Sequence, residues 1–255
     1  MDMNDSTQRF SDRVENYVKF RPSYPAEVLD LLIKQTQIKE NAVIADIGSG
    51  TGKLTEILLR DGHSVIAVEP NAPMREAAEV LFAKHPNFVS SGGSAEETGL
   101  EDNSVDLITA GQAFHWFDVP KATTEFQRIL KPSGCVVLIW NRRRIEESNF
   151  QSIYDAILQK WGTDYNKVKH HNVTDEVLKE FYGGEGFQIH NLEYYQEFDF
   201  EALKGRLLSA SYAPQADHPN HEPMMTELKK AFESNQSQGT IRFDYDTNIY
   251  IGKLD

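Results

Sequence analysis

The sequence predicts an α/β fold, a doubly wound and mostly parallel sheet covered by helices on both faces, and three observations carry that expectation. From Asn41 to about Asn141, apolar strand-like runs alternate with segments of helical periodicity. The run Val43 to Ile47 passes into alternating glycines, Gly48, Gly50 and Gly52, and then into the helix-like stretch Lys53 to Arg60. A second apolar run, Ser64 to Val68, ends on Glu69, 17 residues after Gly52.

Taken in order, residues 1–12 read as frayed, and Tyr17 to Tyr24 as an aromatic and basic lead-in. Pro25 is pre-set for a first helical turn, and Val28, Leu29, Leu31, Leu32 and Ile33 supply an apolar helical face behind it. Strands are expected at 42–47, 64–69, 87–91, 105–111 and 134–140, with helices at 53–61, 73–84 and 119–130 between them. Pro132-Ser-Gly134 reads as the turn into the fifth strand. After Asn141 the rhythm breaks into a helical insertion; Thr174 caps a helix to Phe181 that Gly183 and Gly184 end. Phe187 to Phe200 and Thr240 to Leu254 have β-like patterns, with a helical stretch near 218–235 between them. No linker divides the chain. The expectation is one domain over 1–255: an N-terminal lid at 10–36, a core sheet at 37–141, and a helical cap with the last strands at 142–255.

Composition narrows the function. A chain of 255 residues with 40% hydrophobic content can bury one large core. Its net charge of −13 repels polyanions, which argues against nucleic acid and anionic membrane surfaces as partners. Cys135, the single cysteine, excludes an intramolecular disulfide and a cysteine metal cluster, and its apolar setting reads as a buried inert thiol. The start of the chain has no basic-then-apolar leader, and no run of about 18 apolar residues occurs, so a cytoplasmic location is expected.

The glycine turn carries the chemistry. Alternating glycines let the backbone turn tightly and let a ligand approach without a Cβ in the way, while the next helix points free N–H groups at it. Glu69 stands close to the roughly 20-residue offset at which an acid of a βαβ unit reaches a ribose. Two ligand classes use this geometry, dinucleotides and S-adenosylmethionine. The dinucleotide pattern Gly-x-Gly-x-x-Gly is not met, because Lys53 stands where its third glycine belongs. Asp46 at the strand tip would repel a pyrophosphate, and it suits a ligand that carries an ammonium and a sulfonium.

With Asp46-Ile-Gly-Ser-Gly-Thr-Gly52, the chain resembles the class I S-adenosylmethionine-dependent methyltransferases. Ser94-Ala95-Glu96-Glu97, Val105-Asp-Leu-Ile108, Gln112-Ala-Phe-His-Trp-Phe117 and Ile129-Leu-Lys-Pro-Ser-Gly134 are similar to the small-molecule branch of type eleven. Tyr17-Val-Lys-Phe-Arg-Pro-Ser-Tyr-Pro25 is similar to the lead-in of trans-aconitate methyltransferase-like proteins. The resemblance implies a Rossmann-like sheet of seven strands whose last runs antiparallel. It implies S-adenosylmethionine as methyl donor, S-adenosylhomocysteine as product, and a small-molecule acceptor. Asp46, Gly48, Ser49, Gly50, Gly52, Glu69, Pro70, Ala95, Glu96 and Gln112 become the candidate cofactor residues. For Glu96 the alternative is an exposed acidic loop. The motifs of base-amine, cytosine-carbon and metal-dependent catechol methylation are absent, and His218-Pro-Asn-His221 is a weak metal pattern, so no metal is expected. A catalytically silent or regulatory module with the same cofactor pocket is the rival function.

Acceptor residues are expected at three places. His115 and Trp116 follow the fourth strand, at the sheet end where ligands bind; His115 either orients or deprotonates the acceptor or is packed under Trp116. Tyr17 and Arg21 lie in the lead-in, and Arg142, Arg143 and Arg144 follow the fifth strand. Arginine's planar fork suits a carboxylate, so these residues suggest an anionic acceptor; the alternative is that they pair with the chain's many acids.

Overall fold

The computed structural model describes residues 14–165, 173–184 and 186–254. Residues 1–12, read as frayed, and residues 10–13 of the expected lid lie outside the described residues.

Among the described residues the chain forms one seven-stranded sheet. Its strands are β1 (Val43–Ile47), β2 (Ser64–Val68), β3 (Phe88–Ser91), β4 (Val105–Gly111), β5 (Leu130–Arg143), β6 (Phe187–Phe198) and β7 (Ile241–Gly252). The order across the sheet is β3-β2-β1-β4-β5-β7-β6. The first five strands run parallel, and β7 is inserted antiparallel between β5 and β6. This is the Rossmann-like arrangement the resemblance implied. Because strand order reverses between β1 and β4, the loops after these strands diverge and leave a crevice at their carboxyl ends.

The strands between β2 and β7 are covered on both faces, and their side chains divide with period two. Ile44, Leu107, Val137 and Ile139 face one core with Val28 and Leu32 of α2 (Glu27–Thr36), Leu54 and Leu58 of α3 (Lys53–Leu58), and Phe82 of α4 (Ala72–Phe82). Ala45, Ile108, Val136 and Leu138 face the other, with Phe126 and Ile129 of α5 (Val119–Ile129). A third core lies beside the sheet. There α6 (Asn149–Trp161), α8 (Phe200–Leu208) and α9 (His221–Asn235) enclose Tyr154, Leu203, Leu207, Met224 and Leu228 against Phe243 and Tyr245 at the start of β7.

Local chemistry starts the helices where the sequence suggests. The Asn71 Oδ1 accepts the Met74 N–H at 3.1 Å, ahead of Pro73 in the first turn of α4. Thr174 caps α7 (Asp175–Phe181), with Oγ1 3.4 Å from the Val177 nitrogen, and Gly183 and Gly184 follow with positive φ.

Four features differ from the sequence expectation. The lead-in contains a helix, α1 (Val14–Phe20), and α2 begins at Glu27 rather than Pro25. Pro132-Ser-Gly134 does not interrupt the fifth strand: β5 begins at Leu130, and the irregularity is absorbed by a register shift opposite Val105 to Leu107. Helix α8 falls where the sequence pattern predicts a strand up to Phe200 and no element over 201–217. Its nine residues are few for a periodicity signal, and Gly205 weakens the helical pattern further.

Candidate active site

A cavity opens at the carboxyl ends of β1, β2 and β4. Its floor is the glycine turn. Gly48 and Gly50 have φ of +67° and +58°, and a Cβ on Gly48 would stand 2.6 Å from the Ala113 Cβ. Backbone N–H groups of Gly48 and Ser49 both donate to the Val68 carbonyl, at 2.9 and 3.2 Å, which locks the turn to β2. Gly48, Ser49 and Gly50 line the cavity, and the Ser49 hydroxyl is buried without a hydrogen-bond partner.

Two buried acids meet this floor. Asp46 is 1% exposed; its carboxylate accepts the Thr55 hydroxyl at 2.6 Å and the Thr109 hydroxyl at 3.0 Å. Burial raises its pKa to about 6, although both threonines favour the ionised form. Glu69 accepts the Gly50 N–H through one oxygen and the Asn71 N–H through the other, each at 2.8 Å. It therefore ties the glycine turn to the start of α4 while still bordering the cavity, and burial pushes its pKa upward.

The walls come from distant parts of the chain. Pro70, Ala95 and Glu96 line one side, where a Glu96 oxygen accepts the Asp118 N–H at 2.8 Å. Gln112 holds a left-handed backbone, φ +58°, immediately after β4; its side chain donates to the Asn141 carbonyl at 3.2 Å. His115 and Trp116 also line the cavity, with ring centroids 4.8 Å apart. Tyr17 and Arg21 close the opposite side. The Arg21 guanidinium lies 5.2 Å from the Tyr17 ring centroid and donates to the Ser209 carbonyl at 3.1 Å. Lys53 fastens α1 to this position by donating to the Val18 carbonyl at 2.6 Å.

Four expected site residues stand elsewhere. Gly52, φ +83°, does not line the cavity: a Cβ there would overlap the Phe82 ring, so this glycine serves the packing of α4 on the turn. Arg142 is exposed at the end of β5 and lines no part of the cavity. Arg143 turns to α6, donating at 2.8 Å to Asp155 and at 2.9 Å to the Tyr165 hydroxyl. Arg144 likewise pairs with Asp246 at 2.7 Å and Glu193 at 2.8 Å. The pairing alternative thus holds for Arg143 and Arg144, because the fifth strand continues past the cavity rim to Arg143 and carries them onto the cap and β7.

Sequence reasoning missed Tyr24, Ser211 and Tyr212, which line the cavity. Tyr24 explains Gly111, where a Cβ would overlap its hydroxyl. Ser211 and Tyr212 follow the unexpected α8 and carry no motif of their own. Cys135 is buried in β5, where burial pushes its thiol up to about 11. The His218 and His221 rings serve the turn before α9: His218 Nδ1 accepts the Asn220 N–H at 3.1 Å, and His221 Nδ1 lies 3.0 Å from the Pro214 carbonyl. Among the described residues no group of three or more His, Cys, Asp or Glu could hold a metal ion, and no helix is long and apolar enough to cross a membrane.

The sheet order, the glycine turn and the acid at the end of β2 define a Rossmann-like methyltransferase fold. Residues 45–138 match the family model described as methyltransferase domain. The chain is 41% identical over 139 residues to an uncharacterized methyltransferase of Mycobacterium tuberculosis, covering 54% of each. It is 39% identical over 135 residues to an uncharacterized methyltransferase of Schizosaccharomyces pombe, covering 52% of this chain and 53% of that one. The chain thus spans about half the length of the curated relatives it matches. A proposed type II methyltransferase from Anaeromyxobacter dehalogenans superposes with a TM-score of 0.66 at 21% identity, covering 92% of this chain and 98% of that one. A proposed methyltransferase from an antibiotic biosynthesis pathway of Anabaena variabilis gives 0.64 at 22% identity, with 92% and 99% covered. At these identities the likeness is one of fold.

Proposed function

We propose that the protein transfers the methyl group of S-adenosylmethionine to a small anionic acceptor such as a carboxylate, acting as one domain whose lid and helical cap close over the sheet. One observation carries the reading: the glycine turn, Asp46, Glu69, His115 and Arg21 border the same cavity. The residues fit the donor. The turn presents backbone without Cβ atoms, Asp46 faces a ligand ammonium, and Glu69 and Pro70 stand where a ribose would lie. Ala95 and Glu96 suit the adenine side, and Gln112 completes the wall after β4.

The donor supplies a methyl carbon already activated by a positive sulfur. The protein's part is mainly positioning, an effect worth about 7–11 kcal/mol when reacting atoms are held in line. Tyr17, Trp116 and His115 shape the acceptor side, and their aromatic faces favour a nearby cation. An ionised carboxylate needs no base, so His115 orients it; an acceptor that must lose a proton would give it to His115.

The test is calorimetry with S-adenosylmethionine and NAD, followed by labelled methyl transfer to a panel of carboxylic acids. Binding of the first ligand alone and transfer to at least one acid are expected. Binding without transfer to any acceptor class would instead identify a silent or regulatory module, and NAD binding would overturn the donor assignment.

A further inference from the structure

Two neighbouring arginines, half-buried Arg21 on the cavity wall and buried Arg206 outside its lining, pair with no carboxylate among the described residues. Arg21 follows α1 and Arg206 lies on α8. The two helices touch at Gly205, where a Cβ would overlap the Phe20 ring, and Arg21 reaches along α8 to the Ser209 carbonyl. Arg206 is only 6% exposed, and its Nε and Nη1 meet no acceptor; Tyr245 is among the groups that raise its pKa. Arg21 Nε is likewise buried without a partner. So is the Tyr154 hydroxyl, and so is Nη1 of Arg143, whose other arm binds Asp155.

We propose that Arg206, together with Arg21 and the Tyr154 hydroxyl, forms an anion subsite beside Tyr212 that receives a carboxylate of the methyl acceptor. The subsite rests on the methyl-transfer reading, in which this cavity takes the acceptor, and it adds a residue that neither the motifs nor the matched segment contains.

Charge supports it. A buried guanidinium with open N–H groups is costly unless an anion and hydrogen-bond acceptors meet it. Among the described residues, Arg21, Arg206 and Arg143 carry three positive charges, of which only that of Arg143 is paired, with Asp155, and this leaves room for a dianion. The facing groups are otherwise the phenols of Tyr17, Tyr154, Tyr212 and Tyr245. Burial, and then the neighbouring Arg206 charge, lower the Arg21 pKa. The planar forks leave N–H groups suited to bidentate carboxylate binding.

The donor also has a carboxylate, and the experiment separates the two sources. Full-length protein, with and without S-adenosylhomocysteine, is titrated with succinate and with its uncharged diamide, and Arg206→Met and Arg206→Lys are compared with wild type. Succinate should bind and the diamide should not. Arg206→Met should weaken succinate about ten- to hundredfold, with Arg206→Lys intermediate, while S-adenosylhomocysteine affinity changes less than about twofold. Because it removes an uncompensated buried charge, Arg206→Met should melt at or above the wild-type temperature. Succinate affinity equal in wild type and Arg206→Met, or absent in both, overturns the subsite. So does a loss confined to S-adenosylhomocysteine, which would assign the arginine to the donor. A lower melting temperature in both variants with unchanged succinate affinity in the folded fraction would make Arg206 purely structural. Failure of S-adenosylhomocysteine to bind, with Arg206-dependent succinate binding retained, would instead count against the methyl-transfer reading and leave the subsite standing.

Discussion

Lowering the pH through 6 should weaken binding of S-adenosylmethionine, and Asp46→Asn should remove that dependence. Asp46 is 1% exposed, and burial raises its pKa from 3.8 to about 6 in the free protein. A displacement of about two units, at about 1.4 kcal/mol each, corresponds to roughly 3 kcal/mol. Its sign follows from which form the fold prefers. With the folded pKa above the unfolded one, the favourable contribution is fully present below pH 3.8 and is lost as pH rises through about 6. At pH 7.5 the free protein therefore holds an ionised, buried carboxylate at a cost of about 3 kcal/mol. A ligand ammonium offsets that cost, so affinity should be highest above pH 6 and fall by up to about tenfold per unit below it, as a proton competes with the ligand. The amide introduced by Asp46→Asn keeps an acceptor for one threonine hydroxyl and carries no charge. The variant should melt several degrees higher at pH 7.5, show little difference at pH 4.5, and bind the donor weakly with a flat profile around pH 6. Calorimetric affinities and melting temperatures from pH 4.5 to 8 measure both effects. A wild-type affinity constant between pH 7.5 and 5, or an Asp46→Asn variant that binds as wild type does, would refute the argument.

Glu69→Ala should do more than remove the proposed ribose acceptor, because it leaves the Gly50 and Asn71 N–H groups without their partner. A stability loss of about 1–3 kcal/mol should accompany weaker donor binding, with Glu69→Gln intermediate in both, as read by urea titration and calorimetry. Gly52→Ala should lower the melting temperature through its overlap with Phe82 and its positive φ, by about 1–3 kcal/mol, and the added Phe82→Ala should recover part of any purely steric loss. For His115→Gln with a carboxylate acceptor, turnover should fall less than about tenfold, whereas an acceptor that needs deprotonation should lose about 10²–10⁴-fold; stopped-time assays on both acceptor types tell these apart. Glu125, held at about pH 2 by Arg128 and further hydrogen bonds from Thr98, has a folded pKa below its ordinary one. Its contribution is present above about pH 4.5 and lost as pH falls through about 2, so Glu125→Gln should lower the melting temperature at pH 7 and have much less effect near pH 2.

The parts of the fold with local causes can be read along the chain. Apolar runs of strand length, the glycine spacing from Gly48 to Gly52 and the acid at Glu69 specify a βαβ unit because a tight turn, a helix start and a buried strand each act within a few residues. Hence β1 to β5, the turn and most of the cavity floor were legible, as was the position of Gln112, His115 and Trp116 at a strand end. What the tertiary structure decided depends on contacts between residues far apart. Gly52 looks like its neighbours in the motif, yet its space is claimed by Phe82 at the end of α4. Arg142 to Arg144 follow a strand that should end at the site, but pairing with β7 carries β5 past it, and Asp155, Glu193 and Asp246 take up Arg143 and Arg144. Tyr212 and Arg206 belong to a short helix with weak periodicity and the turn after it, and only the crossing of that helix with α1 at Phe20 and Gly205 sets them beside Arg21. A motif records the chemistry a turn needs, whereas the partners of a charge are settled by which strands and helices meet in three dimensions.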